Sequence, residues 1–131
     1  MIGYITIGAH DPERAKTFYN AVLATVGWKQ FADYGDYVGY GPGGSDQGQT
    51  MWLWKPFDGE AARPGNGVMI GFHAETKEQV HAFHAAAMAA DGSDEGGPGP
   101  RPEYGPNWYA AYMRDPTGNK LSIVCKTPGS V

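Results

Sequence analysis

The chain has 131 residues, 41% of them hydrophobic and 13% aromatic, which is enough for one domain with a buried core. A formal net charge of -4 with no run of Lys or Arg argues against a nucleic-acid groove or an anionic membrane surface as partner, and leaves a neutral or cationic small molecule compatible. The single cysteine cannot form an intrachain disulfide, the N-terminus has neither a basic n-region nor an apolar h-region, and no apolar stretch approaches bilayer thickness, so a soluble, cytoplasmic protein is expected.

Apolar alternation over Met1 to Ala9, with Ile5 and Ile7 strictly in phase, predicts a first strand that ends at the turn His10-Asp11-Pro12. A helix follows, with Asp11 as N-cap, Pro12 at a position that needs no N–H donor, and Glu13 at the positive end of the dipole. Ala15, Phe18, Tyr19, Val22, Leu23 and Val26 make its apolar face, and Gly27 stops it. Trp28 to Tyr34, Asp36 to Gly41 and Gln49 to Lys55 read as three strands, the last two joined by the Gly-rich turn 42–48, so the first half is β-α-β-β-β.

The second half restarts the order. Strand Gly67 to His73 leads to Thr76, which caps a helix with Gln79 completing a capping box and Val80, Phe83 and Ala87 facing inward. Strands Trp108 to Arg114 and Lys120 to Lys126 close a hairpin around Asp115-Pro116-Thr117-Gly118-Asn119. Asp11, Phe18 and Gly27 correspond to Thr76, Phe83 and Gly92 at one constant offset, so cap, anchor and stop repeat together. The expectation is one α+β domain over 1–131: module one at about 1–57, a linker at 58–66 and module two at about 67–128. Residues 91–107, dense in Gly and Pro, read as irregular beyond a short strand near Ser93 to Glu95: a linker, or a loop in which Tyr104 touches ligand.

Two tandem βαβββ modules, with Asp11-Pro12-Glu13-Arg14-Ala15-Lys16-Thr17-Phe18-Tyr19 early and Arg114-Asp115-Pro116-Thr117-Gly118-Asn119-Lys120-Leu121 late, resemble the glyoxalase, bleomycin-resistance and dioxygenase (vicinal oxygen chelate) superfamily over nearly the whole chain. The resemblance implies modules curled around a concave pocket, frequent homodimers, and a divalent metal held by four side chains. Transferred onto this chain, the four ligand positions fall at Tyr4, near Trp52, at Met69 and at Ser122, none of them His, Asp or Glu. Such residues do not supply the charge or lone pairs a divalent cation requires, so neither a metal nor any other cofactor is expected.

Strand alternation places Ile5, Ile7, Ile70 and Phe72 against the helices and directs the other rows to the concavity. The expected ligand-binding wall is Tyr4, Thr6, Trp52, Trp54, Met69, His73 and Ser122, with Tyr104 from the loop and Val124 as a further candidate. It suits a flat or hydrophobic organic ligand. His81 and His84 share an i, i+3 helical face but read as solvated flank, His10 as a turn residue, Cys125 as packing and Asp115 as an Asx-turn residue. The favoured function is a metal-independent small-molecule-binding protein, acting as a homodimer with sites built from both protomers. The alternatives are a metal-dependent lyase or dioxygenase of the glyoxalase type, and a metal-free isomerase using His73 or Tyr4.

Overall fold

A computed structural model describes residues 2–129; Met1, expected to begin the first strand, and residues 130 and 131 lie outside the described residues. Module one consists of β1 (Tyr4–Gly8), α1 (Pro12–Ala24), β2 (Trp28–Asp33), β3 (Val38–Pro42) and β4 (Thr50–Trp54). Module two repeats the order as β5 (Met69–Ala74), α2 (Lys77–Ala89), β6 (Ser93–Pro100), β7 (Tyr109–Arg114) and β8 (Lys120–Cys125). Each module forms its own four-stranded mixed sheet, in the order β1-β4-β3-β2 and β5-β8-β7-β6, with the first pair parallel and the others antiparallel. Among the described residues no helix is long and apolar enough to cross a membrane.

The helix boundaries follow from their caps. The Asp11 side chain accepts the Arg14 N–H at 3.2 Å, and Pro12 occupies the first turn of α1. At α2 the Thr76 hydroxyl accepts the Gln79 N–H while the Gln79 side chain accepts the Thr76 N–H, so both halves of the capping box are present. One expectation is corrected at the end of α2. Asp91, not Gly92, takes the left-handed turn at φ 76°, and the Gly92 N–H closes on the Ala87 carbonyl at 2.8 Å. Gly92 is required for closeness instead, because a Cβ there would stand 2.7 Å from the Ala87 oxygen and 2.9 Å from the Arg114 oxygen.

A second correction concerns residues 91–107. Ser93–Pro100 is an eight-residue strand, β6, despite its Gly and Pro content. It lies at the sheet edge, pairing only with β7, and the pairing shifts register between Asp94 and Gly96 and again between Gly96 and Gly99. An edge strand with bulges tolerates Pro98 and Pro100, since a missing N–H costs a ladder bond only where a partner waits for it.

The core is continuous across both modules. The inward face of α1, with Phe18, Tyr19, Val22 and Leu23 fully buried, and that of α2, with Val80, Phe83 and Ala87, pack with Leu53, Met113, Leu121 and Ile123 from the strands. The helices also pack on each other, and Trp28 meets Phe72 edge-on at 5.6 Å, joining β2 to β5. Cys125 is fully buried on this side. The opposite rows are left outward: Tyr4 is 66% and Met69 47% exposed, while Ile7 and Phe72 on the same two strands are buried.

Candidate functional site

The outward face of the first sheet, together with the segment that leaves β4, encloses a cavity of about 690 Å³. Tyr4, Thr6 and Gly8 of β1 form its floor with Trp52 and Trp54 of β4, since the register sets Thr6 opposite Trp52 and Gly8 opposite Trp54. Tyr34 and Tyr37 come from the β2–β3 hairpin, where the Tyr34 N–H bonds the Tyr37 carbonyl at 2.8 Å and Gly35 takes φ 85°. The far wall is Lys55, Pro56, Phe57, Ala62 and Arg63. Ala62 reaches β1 only because residue 8 is glycine: a Cβ there would lie 2.9 Å from the Ala62 Cβ.

The rings hold one another in place. Trp52 and Trp54 meet edge-on at 5.7 Å, Tyr37 lies 4.0 Å from Trp54, and Tyr34 is parallel to Trp52 within 9° at 6.4 Å. Phe31 meets Trp52 edge-on at 5.3 Å. It stands at a register shift in the β2–β3 pairing and covers Gly39, where a Cβ would come within 2.6 Å of its ring. Aromatic rings braced against one another have little side-chain freedom left to lose on contact with a flat surface.

The expected site residues divide between the sheets. Tyr4, Thr6, Trp52 and Trp54 share this cavity. Met69 and Tyr104 instead line one of about 850 Å³ on the second sheet, with Arg101, Trp108, Tyr112 and Lys120. His73 is exposed and Ser122 only 5% exposed, and neither lines either of these two cavities. Val124 is likewise buried, at 9% exposure. Tyr34, Tyr37, Phe57, Ala62 and Arg63 were missed from sequence. The pair Tyr34 and Tyr37 was within reach, because a hairpin with two residues between them puts both on one face.

The pairing sets Ser122 opposite Gly71 in the second sheet as it sets Trp52 opposite Thr6 in the first, so these are matching positions. Tyr4, Trp52, Met69 and Ser122 thus present a phenol, an indole, a thioether and a hydroxyl where the superfamily places metal ligands. That donor set does not fit a divalent cation. Among the described residues no three His, Cys, Asp or Glu side chains cluster. The helical histidines are otherwise engaged: His81 Nε2 is 2.6 Å from the Tyr109 hydroxyl and His84 Nε2 2.8 Å from Asp94 of β6. His81 is exposed, as a solvated flank requires, whereas His84 is largely covered and its acidic partner comes from a different element, which corrects that reading for His84.

Behind the first sheet, buried polar groups fix the modules together. Asp115, 4% exposed, accepts the N–H groups of Thr117, Gly118 and Asn119 through Oδ1, each at 2.9 Å, which is the expected Asx turn. Its other oxygen accepts the Tyr19 hydroxyl at 2.5 Å and Asn119 Nδ2 at 2.9 Å, and Asn119 also donates to the Gly8 carbonyl. Burial, then the Asp115 charge, pushes the Tyr19 phenol well above its ordinary range. Tyr40 donates to Asn20 at 2.9 Å, and its phenol is pushed up to about 12, chiefly by burial.

The family model described as Glyoxalase/Bleomycin resistance protein/Dioxygenase superfamily matches residues 1–123. A crystal structure of a glyoxalase/bleomycin resistance protein from Albidiferax ferrireducens is 35% identical with a TM-score of 0.83, covering 95% of this chain and 98% of that one. Two others show the same fold: a glyoxalase-related enzyme from Fulvimarina pelagi (20% identity, TM-score 0.75, 95% and 87% covered) and a glyoxalase/bleomycin resistance protein/dioxygenase family enzyme from Burkholderia phytofirmans (19%, 0.71, 95% and 97%). No protein of curated function matches the chain. With nearly the whole sequence matched and a relative of this identity aligned end to end, the chain belongs to the glyoxalase/bleomycin resistance protein/dioxygenase superfamily.

Proposed function

We propose that this protein is a metal-independent member of its superfamily that binds an aromatic or hydrophobic small molecule against the outward face of the first sheet. The observation that carries the reading is the wall itself: Tyr4, Tyr34, Tyr37, Trp52 and Trp54 line one cavity that has no His, Asp or Glu on it. Stacking on these rings recognises a flat ligand, and the tyrosine hydroxyls orient it. The protein acts as a homodimer that sets the first sheet of one protomer against the second sheet of its partner. Exposed Tyr4, Trp54 and Phe57 on one face and Val68, Met69 and Tyr104 on the other support that pairing, since apolar patches of this kind mark interaction surfaces.

The test has two parts. Protein purified without chelators is assayed for metal content and its thermal unfolding followed with nickel, zinc, manganese, ferrous iron or EDTA; the expected result is no stoichiometric metal and no saturable rise in midpoint. Aromatic compounds are then screened by quenching of tryptophan fluorescence, with Trp52→Ala expected to weaken their binding at least tenfold as read by the remaining tryptophans (~1.4 kcal/mol). A saturable shift with one ion overturns the metal-independent reading, and an affinity unchanged by Trp52→Ala overturns the site.

A further inference from the structure

We infer that the ligand of the first-sheet cavity carries an anionic group, an aromatic carboxylate being the simplest case, and that Arg63 recognises it; this rests on the ligand-binding reading above. The net charge of the chain points the other way, toward cations, as does an aromatic wall, whose ring faces attract positive charge. The cavity's own charges reverse both. The lining that one protomer supplies contains two cations, Lys55 and Arg63, and no carboxylate.

The two cations are not equivalent. Lys55 is already matched by Asp36 at 3.1 Å. Arg63 has no acidic partner among the described residues. The acids nearest it in sequence stay off the lining, and Asp58 is occupied with the N–H of Glu60 in its own loop at 2.9 Å. The backbone entering Arg63 is anchored, because its neighbour Ala62 is seated on Gly8, the last residue of β1, at a distance that admits no side chain between them. Arg63 therefore leaves the chain at the cavity wall, and its exposed side chain lines the cavity beside the rings. A ligand stacked on Trp52 and Trp54 extends a carboxylate toward it, where a planar two-pronged hydrogen bond forms. Tyr4, Tyr34 and Tyr37 supply further O–H donors along the same wall and no anionic acceptor.

Three probes of one shape test this: 2-naphthoate, 2-naphthamide and 2-naphthylmethylammonium, titrated into the intact protein and read by tryptophan quenching. The naphthoate is expected to bind about fivefold more tightly than the amide, the factor corresponding to ~1 kcal/mol from a solvent-accessible ion pair, and the ammonium to bind most weakly. The preference shrinks as salt is added. Arg63→Gln brings naphthoate and naphthamide to within about twofold, and Arg63→Glu reverses the order. Equal or tighter binding of the amide or the ammonium to the unaltered protein overturns the inference while leaving the ligand site intact. A naphthoate preference that persists in Arg63→Gln overturns the role of Arg63. Absence of quenching by all three overturns the ligand-binding reading itself.

Discussion

Replacing Tyr19 by Phe should separate the two modules energetically without altering either surface cavity. The ring is fully buried and its shape is unchanged by the substitution, so no cavity opens; what is lost is one hydrogen bond, at 2.5 Å, to a carboxylate that is itself 4% exposed. A hydrogen bond to a charged group contributes ~1.5–3 kcal/mol, and burial of both partners places this one near ~2 kcal/mol. For a domain of this size that corresponds to a fall of roughly 8 °C in Tm, measured calorimetrically, with the urea m-value unchanged because the same surface is exposed on unfolding. Asp115→Asn should cost more, about 3 kcal/mol, since Oδ2 accepts from both Tyr19 and Asn119 and an amide nitrogen in its place accepts from neither. The double variant should lose less than the sum, because the partners share one bond. A Tyr19→Phe protein within about 0.5 kcal/mol of wild type, with additive losses in the double variant, would refute the idea that this buried pair ties α1 to the β7–β8 turn.

The folded protein should weaken in alkali: Tyr40 holds its proton to about 12 when folded against 10.0 ordinarily, so only the unfolded chain releases it between those values. Stability is thus intact below pH 10 and falls as pH rises to about 12, and urea midpoints across that window should decline less steeply in Tyr40→Phe. Gly39→Ala should drive the Phe31 ring off β3, because the new Cβ would stand 2.6 Å from it. A loss of ~1–3 kcal/mol by urea unfolding and a changed Trp52 emission are expected, whereas unchanged emission would mean that the ring does not brace the indole.

How much was legible differs between fold and site for a physical reason. Helix caps, apolar faces and hairpin turns are made by residues close in sequence, so Asp11, Thr76 with Gln79, and the Asp115 turn mark both modules independently of any tertiary contact. Alternation likewise told which row of β1 and β5 faces the helices. The edge strand β6 was obscured because its Gly and Pro residues signal turns, and only position at the sheet edge, with two register shifts, makes them admissible. The site was half legible. Strand parity found Tyr4, Thr6, Trp52 and Trp54, but it placed Met69, His73 and Ser122 on the same wall, whereas within one chain the two outward faces belong to separate sheets. Arg63 and Ala62 lie in a segment without periodicity, and their place at the rim is set by the close approach to Gly8. The sequence by itself therefore determined the two modules and their caps, because those are matters of local spacing and side-chain chemistry. Only the tertiary structure decided which outward rows share a cavity and which cation faces it, because those depend on how sheets and loops distant in sequence are packed against one another.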